Sequence, residues 1–376
     1  MRRSFNTLAL LVFIAANSCI AQAETLPGIE QVLAQITPRE SAAPISQDPR
    51  WKKPKKIHVM LPAAYRPNQS GDFQAWLSAG LDAELVLVGS LEELDQHAGD
   101  IEVLVGWCHF LPGQYPRLRW LQSLSAGVEV CAKNDQFNRP GVLVSNGSGT
   151  AAPAIAEWVI SSMMMMQRRF LDYYQAQLSK QWQATFEAVP PGREINGKTL
   201  LIVGLGSIGK QVAWRAKGLG MKVTAIRNSS RSGPEYVDYV GLGDELPALT
   251  RQADVVVNAA PLTEKTRAMF DRAFFGNMKS DAMFINVGRG GSVVQEALIE
   301  ALKGGTIGAA ALDVTTPEPL PEDSELWALP NVFITPHRSA NTRETSLRIW
   351  VFLKENIRRY IEGEKIFNLV DLQRGY

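Results

Sequence analysis

The chain has 376 residues, a formal net charge of +1, and hydrophobic and charged fractions of 45% and 20%. That length accommodates two domains with sizeable cores, and that composition excludes a disordered or fibrous chain. A near-neutral charge without a basic face excludes nucleic acid as a partner, and three cysteines and four histidines in no ligand spacing exclude a structural metal.

The N-terminus carries the three parts of a secretory signal over residues 1–23. Arg2 and Arg3 supply the positive end, Leu8 to Ala16 the apolar run, and Ala21-Gln22-Ala23 the cleavage site. The run is too short to cross ~30 Å of hydrocarbon, so cleavage is expected rather than stable membrane insertion, with a mature chain from Glu24. Export points to the periplasm, and Arg2-Arg3-Ser4-Phe5 is similar to a twin-arginine signal, a route for folded proteins. An unused signal would leave the chain in the cytoplasm. Cys19 leaves with the signal. Cys108 and Cys131 pair only if the fold brings them within bonding distance, and two free core thiols are the expected state.

Residues 24–56 read as a lead-in. Ile29, Val32, Leu33 and Ile36 make a short apolar stripe at helical spacing, followed by a Pro-, Ser- and Lys-rich solvated linker. Apolar runs then predict strands at Lys56–Ala63, Ala83–Val88, Ile101–Trp107, Leu118–Leu124 and Val142–Ser145, with helical patterns at Asp72–Ala79 and Leu91–Ala98. This alternation predicts a parallel sheet covered on both faces, in a first domain over 57–150. In "SLSAGVE", Ser123 to Glu129, backbone N–H groups after a strand either hold an anionic ligand or only turn the chain into a helix. Ala152 to Phe170 is predicted as one long helix whose methionines serve adaptable core packing, and residues 171–196 as a loop.

The stretch Gly197 to Arg227 organises the remainder. It reads as a strand (Thr199–Val203), a turn Gly204-x-Gly206-x-x-Gly209, a helix (Ser207–Leu219) and a second strand (Lys222–Ile226). Gly204 allows the tight turn, Gly206 lets backbone approach a pyrophosphate, and Gly209 lets helix and strand pack closely. The helix start at Ser207, Ile208 and Gly209 offers N–H groups to the phosphates, so the stretch predicts dinucleotide binding. Further strands are predicted at Asp254–Asn258, Ala282–Val287, Ile307–Leu312 and Val332–Thr335. In a doubly wound parallel sheet the segments after each strand collect along one edge. Those segments hold Ala260, Pro261 and Thr266, then Val287, Gly288 and Arg289, then Asp313 with Glu318, then His337, and the dinucleotide is expected to touch all of these except Glu318.

A dinucleotide beside Arg, Glu and His suits hydride transfer to a carbonyl adjoining a carboxylate. Arg289 can grip the carboxylate in bidentate fashion and polarise the carbonyl. His337 can exchange a proton with the alkoxide, and Glu318 on the far ring nitrogen would hold its tautomer and raise its pKa. The position that carries an acidic group in NAD enzymes, about 20 residues beyond the turn, is Arg227, followed by Asn228, Ser229, Ser230 and Arg231. Two arginines and two hydroxyls suit a 2′-phosphate, which predicts NADP, with NAD as the alternative.

The segments "GLGSIG", "INVGRGGSVVQEAL" and "ALDVTTPEPLPEDSELWALPNVFITPH" resemble the three signature regions of the NAD(P)-dependent D-isomer-specific 2-hydroxyacid dehydrogenases; "LRWLQSLSAGVE", "IAEWVISSM" and "NLVDLQRGY" are similar as well. The resemblance covers nearly everything after about residue 57. It implies an α/β enzyme of two Rossmann-like or flavodoxin-like doubly wound parallel-sheet domains joined by hinge helices. The substrate domain, 57–150, would be completed by 340–376, and the NAD(P) domain would be 151–339. Arg289, Glu318 and His337 become the catalytic trio, and backbone around Gly106, Trp107, Ala126 and Gly127 meets the substrate carboxylate. Asp313 faces the nicotinamide, and the cofactor domains pair in a homodimer. The implied reaction moves a hydride between NADP(H) and a small 2-keto or D-2-hydroxy acid, glyoxylate and hydroxypyruvate being the plausible substrates. Export departs from the family pattern, since no soluble reductant pool is expected outside the cytoplasm. The rival reading is a non-catalytic dinucleotide-binding regulatory module of the same fold, in which the His–Glu pair would be superfluous. Nearer alternatives are an enzyme acting on formate or phosphite, or one that recycles a tightly held NADP between two substrates.

Overall fold

The computed structural model describes residues 27–61, 72–108, 111, 113–182, 189–228 and 230–372. The expected signal lies outside them, as does Ser229. The chain divides into two compact units, Met1–Ala151 with Asn341–Tyr376, and Ala152–Ala340. Among the described residues no helix is long and apolar enough to cross a membrane.

In the first unit β1 (Lys56–Met60), β2 (Glu84–Val88), β3 (Val103–Gly106), β4 (Trp120–Ser123) and β5 (Leu143–Ser145) form a parallel sheet in the order β2-β1-β3-β4-β5, the flavodoxin-like arrangement. β3 and β4 are buried at every position, as strands covered on both faces must be. The described residues of this stretch hold the helices α1 (Ile29–Ile36), α2 (Asp72–Ser78), α3 (Leu91–Gln96) and α4 (Glu129–Ala132). The C-terminal helix, Arg343–Glu362, supplies Trp350, Leu353, Ile357, Tyr360 and Ile361 to the same core. Tyr360 stacks on Trp120 at 4.1 Å, and Asn356 Nδ2 donates to Gln122 Oε1 at 2.6 Å.

The stretch expected as a solvated linker is packed instead. Val32 and Ile36 of α1 bury against Val351, Phe352 and Phe367, Glu40 pairs antiparallel with Phe367, and Trp51 Nε1 donates to Tyr360 O. The apolar stripe finds its partner in residues more than three hundred positions away, which no local pattern announces. Cys108 and Cys131, expected as free thiols, are joined in a disulfide with Cα atoms 5.3 Å apart. Pairing of β3 with β4 lays the chain exits of the two strands side by side, closing a sequence separation of 23.

The second unit is a parallel sheet of β6 (Thr199–Val203), β7 (Lys222–Ile226), β8 (Tyr239–Gly241), β9 (Val255–Asn258), β10 (Met283–Asn286), β11 (Ala309–Leu312) and β12 (Val332–Ile334). Its order, β12-β11-β10-β9-β6-β7-β8, is the dinucleotide-binding arrangement with one strand added at the β12 edge. The doubly wound α/β expectation therefore holds for both sheets. β8, three residues at the sheet edge, was not expected. The helix expected over 152–170 ends as α5 at Gln167, and Arg169 turns left-handed at φ 59° before α6 (Phe170–Leu178) begins. α6 buries no residue: its apolar positions Phe170, Tyr173, Tyr174 and Leu178 share one helical face that stays exposed. Among the described residues the unit's further helices are α7 (Ser207–Gly218), α8 (Leu246–Gln252), α9 (Arg272–Gly276) and α10 (Gln295–Lys303).

His58 on β1 is 1% exposed, and its Nδ1 finds no hydrogen-bond partner among the described residues. Burial first, then the His97 and Lys56 charges, push its pKa down to about 4. The unfolded chain then takes the proton first. Stability should be full above pH ~6.5 and fall by about 1.4 kcal/mol per unit towards pH ~4. Urea midpoints measured across this range should fall less steeply in His58→Leu; parallel slopes would show that His58 is not the source.

Candidate active site

The glycine turn is built by crowding. Gly204 has φ +101°, and a Cβ there would lie 2.7 Å from Ala260 N; one at Gly209 would lie 2.2 Å from Gly204 O. The first contact joins the exits of β6 and β9, where the strand order reverses and the crevice of such sheets opens, and the second packs α7 on the turn after β6. A Cβ at Gly206, by contrast, would meet no atom within 4 Å. Space is thus left where α7 begins, and its first-turn N–H groups at Ser207, Ile208 and Gly209 have no partners within the helix. These features fit a pyrophosphate.

Two adjoining strands end in asparagine, and sequence reasoning missed both. Buried Asn258 Nδ2 donates to Asn286 Oδ1 and to Ser292 Oγ, each at 2.8 Å. Asn258 Oδ1 accepts from Ala260 N, and Asn286 Oδ1 from Gly288 N, both at 3.1 Å. Ser292 Oγ and Asn286 Nδ2 both donate to Arg289 O, at 2.6 and 3.3 Å. The network fixes the backbone on which Arg289 stands. The available signal was an amide closing each of two apolar runs, "VVVN" and "MFIN". Gly290 follows, and a Cβ there would lie 1.8 Å from Thr315 O, so the Arg289 turn presses on the segment leading to Glu318. Thr266 Oγ1 donates to Pro261 O at 2.6 Å and accepts from Thr263 N at 2.8 Å, shaping the turn after β9. Val287 is buried, with its N–H given to Asn258 O.

Asp313 ends the β11 segment and is 2% exposed. Its Oδ1 accepts from Thr335 Oγ1 at 2.6 Å, Arg338 N at 2.7 Å and Ser339 N at 3.0 Å, while Oδ2 accepts from Ser339 Oγ. The carboxylate expected against the nicotinamide is thus engaged by the loop that carries His337. That loop holds His337 at φ 55°, with its N–H shared between Asp313 O and Thr335 O.

His337 Nδ1 lies 2.9 Å from Glu318 Oε2, with the two side chains 47% and 39% exposed. Glu318 Oε1 also accepts from Thr315 N at 3.1 Å. The hydrogen bond that His337 donates to Glu318 is the main reason the His337 pKa is raised; desolvation and the Arg289 charge oppose it, and the Glu318 and Asp313 charges assist. Desolvation is the largest effect at Glu318 and pushes its carboxyl up. The His337 hydrogen bond and charge, the Thr315 N–H and Arg289 outweigh it, leaving the pKa below the ordinary value. Arg289 is therefore close enough to bias both partners, and its Nη1 donates to Gly288 O at 2.8 Å.

At the end of β7, Arg227 Nη1 donates to Ser232 O at 2.6 Å, and Asn228 is exposed. Arg231 is paired with Glu245 Oε1 at 2.6 Å and reaches Tyr239 OH at 3.1 Å. In the first unit Gly106 is buried at the end of β3 and Trp107 is half-buried. Ala126 is exposed, its carbonyl accepting from Asn146 Nδ2 at 2.8 Å, and Gly127 O accepts from Ser125 Oγ at 3.1 Å.

A doubly wound sheet with a glycine turn, an arginine and a histidine–carboxylate pair on one edge defines a dinucleotide-dependent oxidoreductase. Comparison with known proteins narrows the class. The profile of the D-isomer specific 2-hydroxyacid dehydrogenase NAD binding domain matches residues 160–339. Glyoxylate/hydroxypyruvate reductase B of Escherichia fergusonii is 34% identical over 259 residues, covering 69% of this chain and 79% of that protein. Among solved structures, a D-isomer specific 2-hydroxyacid dehydrogenase family protein from Aeromonas salmonicida has a TM-score of 0.75 at 29% identity, over 85% of this chain and 99% of its own. A D-isomer specific 2-hydroxyacid dehydrogenase from Xanthobacter autotrophicus Py2, in complex with NADPH and MES, has a TM-score of 0.71 at 28% identity, over 85% and 99%. The chain belongs to the D-isomer-specific 2-hydroxyacid dehydrogenase family. It is an oxidoreductase of 2-hydroxy acids.

An amide in place of Glu318 keeps the shape of the side chain and removes the charge that favours imidazolium. In Glu318→Gln the His337 titration, followed by NMR of the labelled ring, should move to lower pH. An unmoved titration would mean that the pair does not set the protonation of His337.

Proposed function

We propose that the chain reduces small 2-keto acids, glyoxylate and hydroxypyruvate among them, to D-2-hydroxy acids with NADP(H) as the preferred cofactor. The observation that carries this is the 2.9 Å contact of His337 with Glu318 near Arg289, on strand ends of the sheet that holds the glycine turn. The name of the reductase from E. fergusonii supports the substrate class, and the NADPH complex from X. autotrophicus supports the cofactor.

Keto acid, NADPH and one proton give hydroxy acid and NADP⁺, with the hydride supplied by the bound nicotinamide. Arg289 holds the substrate carboxylate and polarises the neighbouring carbonyl. Nδ1 of His337 is taken by Glu318, which leaves Nε2 to deliver the proton to the carbonyl oxygen. Glu318 stays ionised, stabilises the imidazolium and holds the ring in place. In the first unit, backbone around Gly106–Trp107 and Ala126–Gly127 receives the carboxylate. A module that only binds a dinucleotide has no use for the His337–Glu318 pair, which counts against the regulatory reading.

Arg227, placed at the end of β7, is read as the partner of a 2′-phosphate, with Asn228, Ser229 and Arg231 beside it in sequence. Loss of NADPH with glyoxylate and hydroxypyruvate, compared with NADH, tests the whole reading. NADPH should be preferred, and Arg227→Asp should reverse the preference. His337→Ala should lower kcat by roughly 10²–10⁴-fold. The reduction rate should fall as pH rises through the elevated His337 pKa, and that limb should move to lower pH in Glu318→Gln. NADPH binding without turnover of any keto acid would sink the assignment.

The same reading includes export and a homodimer. The signal-like N-terminus and the Cys108–Cys131 disulfide support an oxidising compartment. Phe170, Tyr173, Tyr174, Leu178 and Trp182 are exposed along and just beyond α6, a concentration of apolar surface that suits a second copy. Fractionation should find the chain in the periplasm, and sedimentation should give a dimer that weakens in Tyr174→Glu. Cytoplasmic retention or a monomer would remove the respective part.

A further inference from the structure

The disulfide stands apart from the hydride-transfer residues, yet its position is specific. β3 and β4 run in parallel with Gly106 opposite Ser123, so the chain leaves both strands at one edge of the sheet. Leu124 N donates to Gly106 O at 3.2 Å, after which the two exits separate. The β3 exit carries Trp107 and then Cys108. The β4 exit carries the turn Ser125–Gly127 and then α4, which holds Cys131. The disulfide rejoins the exits just past the last of those bonds, with its residues 5% and 0% exposed. The β4 exit is also braced from its other side, by Asn146 Nδ2 on Ala126 O at 2.8 Å and Gly147 N on Ser125 O at 3.0 Å.

We infer that the Cys108–Cys131 disulfide is a positioning element for the substrate. It fixes the separation between the backbone of Gly106–Trp107 and that of Ala126–Gly127, the two segments that receive the substrate carboxylate. The inference rests on the keto acid reductase reading. A carboxylate accepts from N–H donors only over a narrow range of distance, and binding geometries must be held to within ~0.5 Å. Reduction removes this tie and leaves the exits held by hydrogen bonds alone, which loosens the two segments read as receiving the carboxylate. The dinucleotide turn belongs to the other unit and is untouched.

The bond closes from the dithiol by exchange with glutathione disulfide. One cysteine thiolate attacks a glutathione sulfur and releases one glutathione; the other attacks the mixed disulfide and releases the second. Two electrons pass to glutathione disulfide, and the two thiol protons end on the two glutathiones.

The test uses the full chain purified from a reducing host, assayed before and after oxidation by glutathione disulfide, with thiol titration to confirm closure. Oxidation should lower the KM for glyoxylate roughly tenfold, while kcat and the Kd for NADPH stay nearly constant. Cys108→Ala/Cys131→Ala should behave as the reduced form and ignore the oxidant. Equal KM in both redox states would leave the bond as a stability brace and overturn the inference. A chain that folds in neither the reduced nor the double-variant form would assign the bond to folding as a whole and overturn it equally. Absence of keto acid turnover in the oxidised chain would instead sink the reductase reading.

Discussion

The parallel direction of all seven strands in the second sheet is the constraint from which its chemistry follows. Parallel strands need crossovers, and the crossovers deliver every strand's carboxyl end to one edge. Backbone groups at those buried ends must find partners. Here Asn258, Asn286 and Asp313 supply them, and the atoms that satisfy the fold also hold the site. The amide network ends on the carbonyl of Arg289, and the carboxylate binds the loop of His337. Leaving one such buried donor or acceptor unpaired costs about 1–3 kcal/mol. Stability and the geometry of the candidate site are thus supported by the same hydrogen bonds.

The electrostatics of the site divide the labour between its two titrating groups. Glu318 is held below its ordinary pKa and His337 above, so the mobile proton resides on the imidazole. Arg289 acts on both partners in the direction that favours this division at Glu318 and opposes it at His337. The result is an acid whose strength reflects a balance of neighbours rather than a single contact. Both side chains remain partly exposed, His337 at 47% and Glu318 at 39%.

The first unit relies on other means. Its sheet is joined to the chain's far end by the Trp120–Tyr360 stack and by a buried chain running from Ser145 Oγ through Gln122 to Asn356 and the Phe367 N–H. The segment before β1 then closes over the C-terminal helix through Val32, Ile36 and Trp51. Where hydrogen bonding between β3 and β4 ends, a covalent bond takes over.

All strands of both sheets except β8, the glycine turn, and the placing of Arg289, Glu318 and His337 just after strands were legible in the amino-acid sequence. Each rests on a local signal: an apolar run of strand length, glycines at fixed spacing, or an uncommon residue type just after a strand. α6 and β8 were not read from the sequence, although α6 carries an apolar stripe at helical spacing. The sequence placed Asp313 correctly at a strand end, but only the packing around it shows its oxygens engaged with Thr335, Arg338 and Ser339. The docking of residues 27–56 and the Cys108–Cys131 bond likewise depended on partners distant in the chain. The sequence by itself determined the repeating α/β pattern and the chemistry on offer, because those depend on near neighbours. The tertiary structure decided which buried polar groups meet and which cysteines bond, because those depend on distances that only the assembled sheets define.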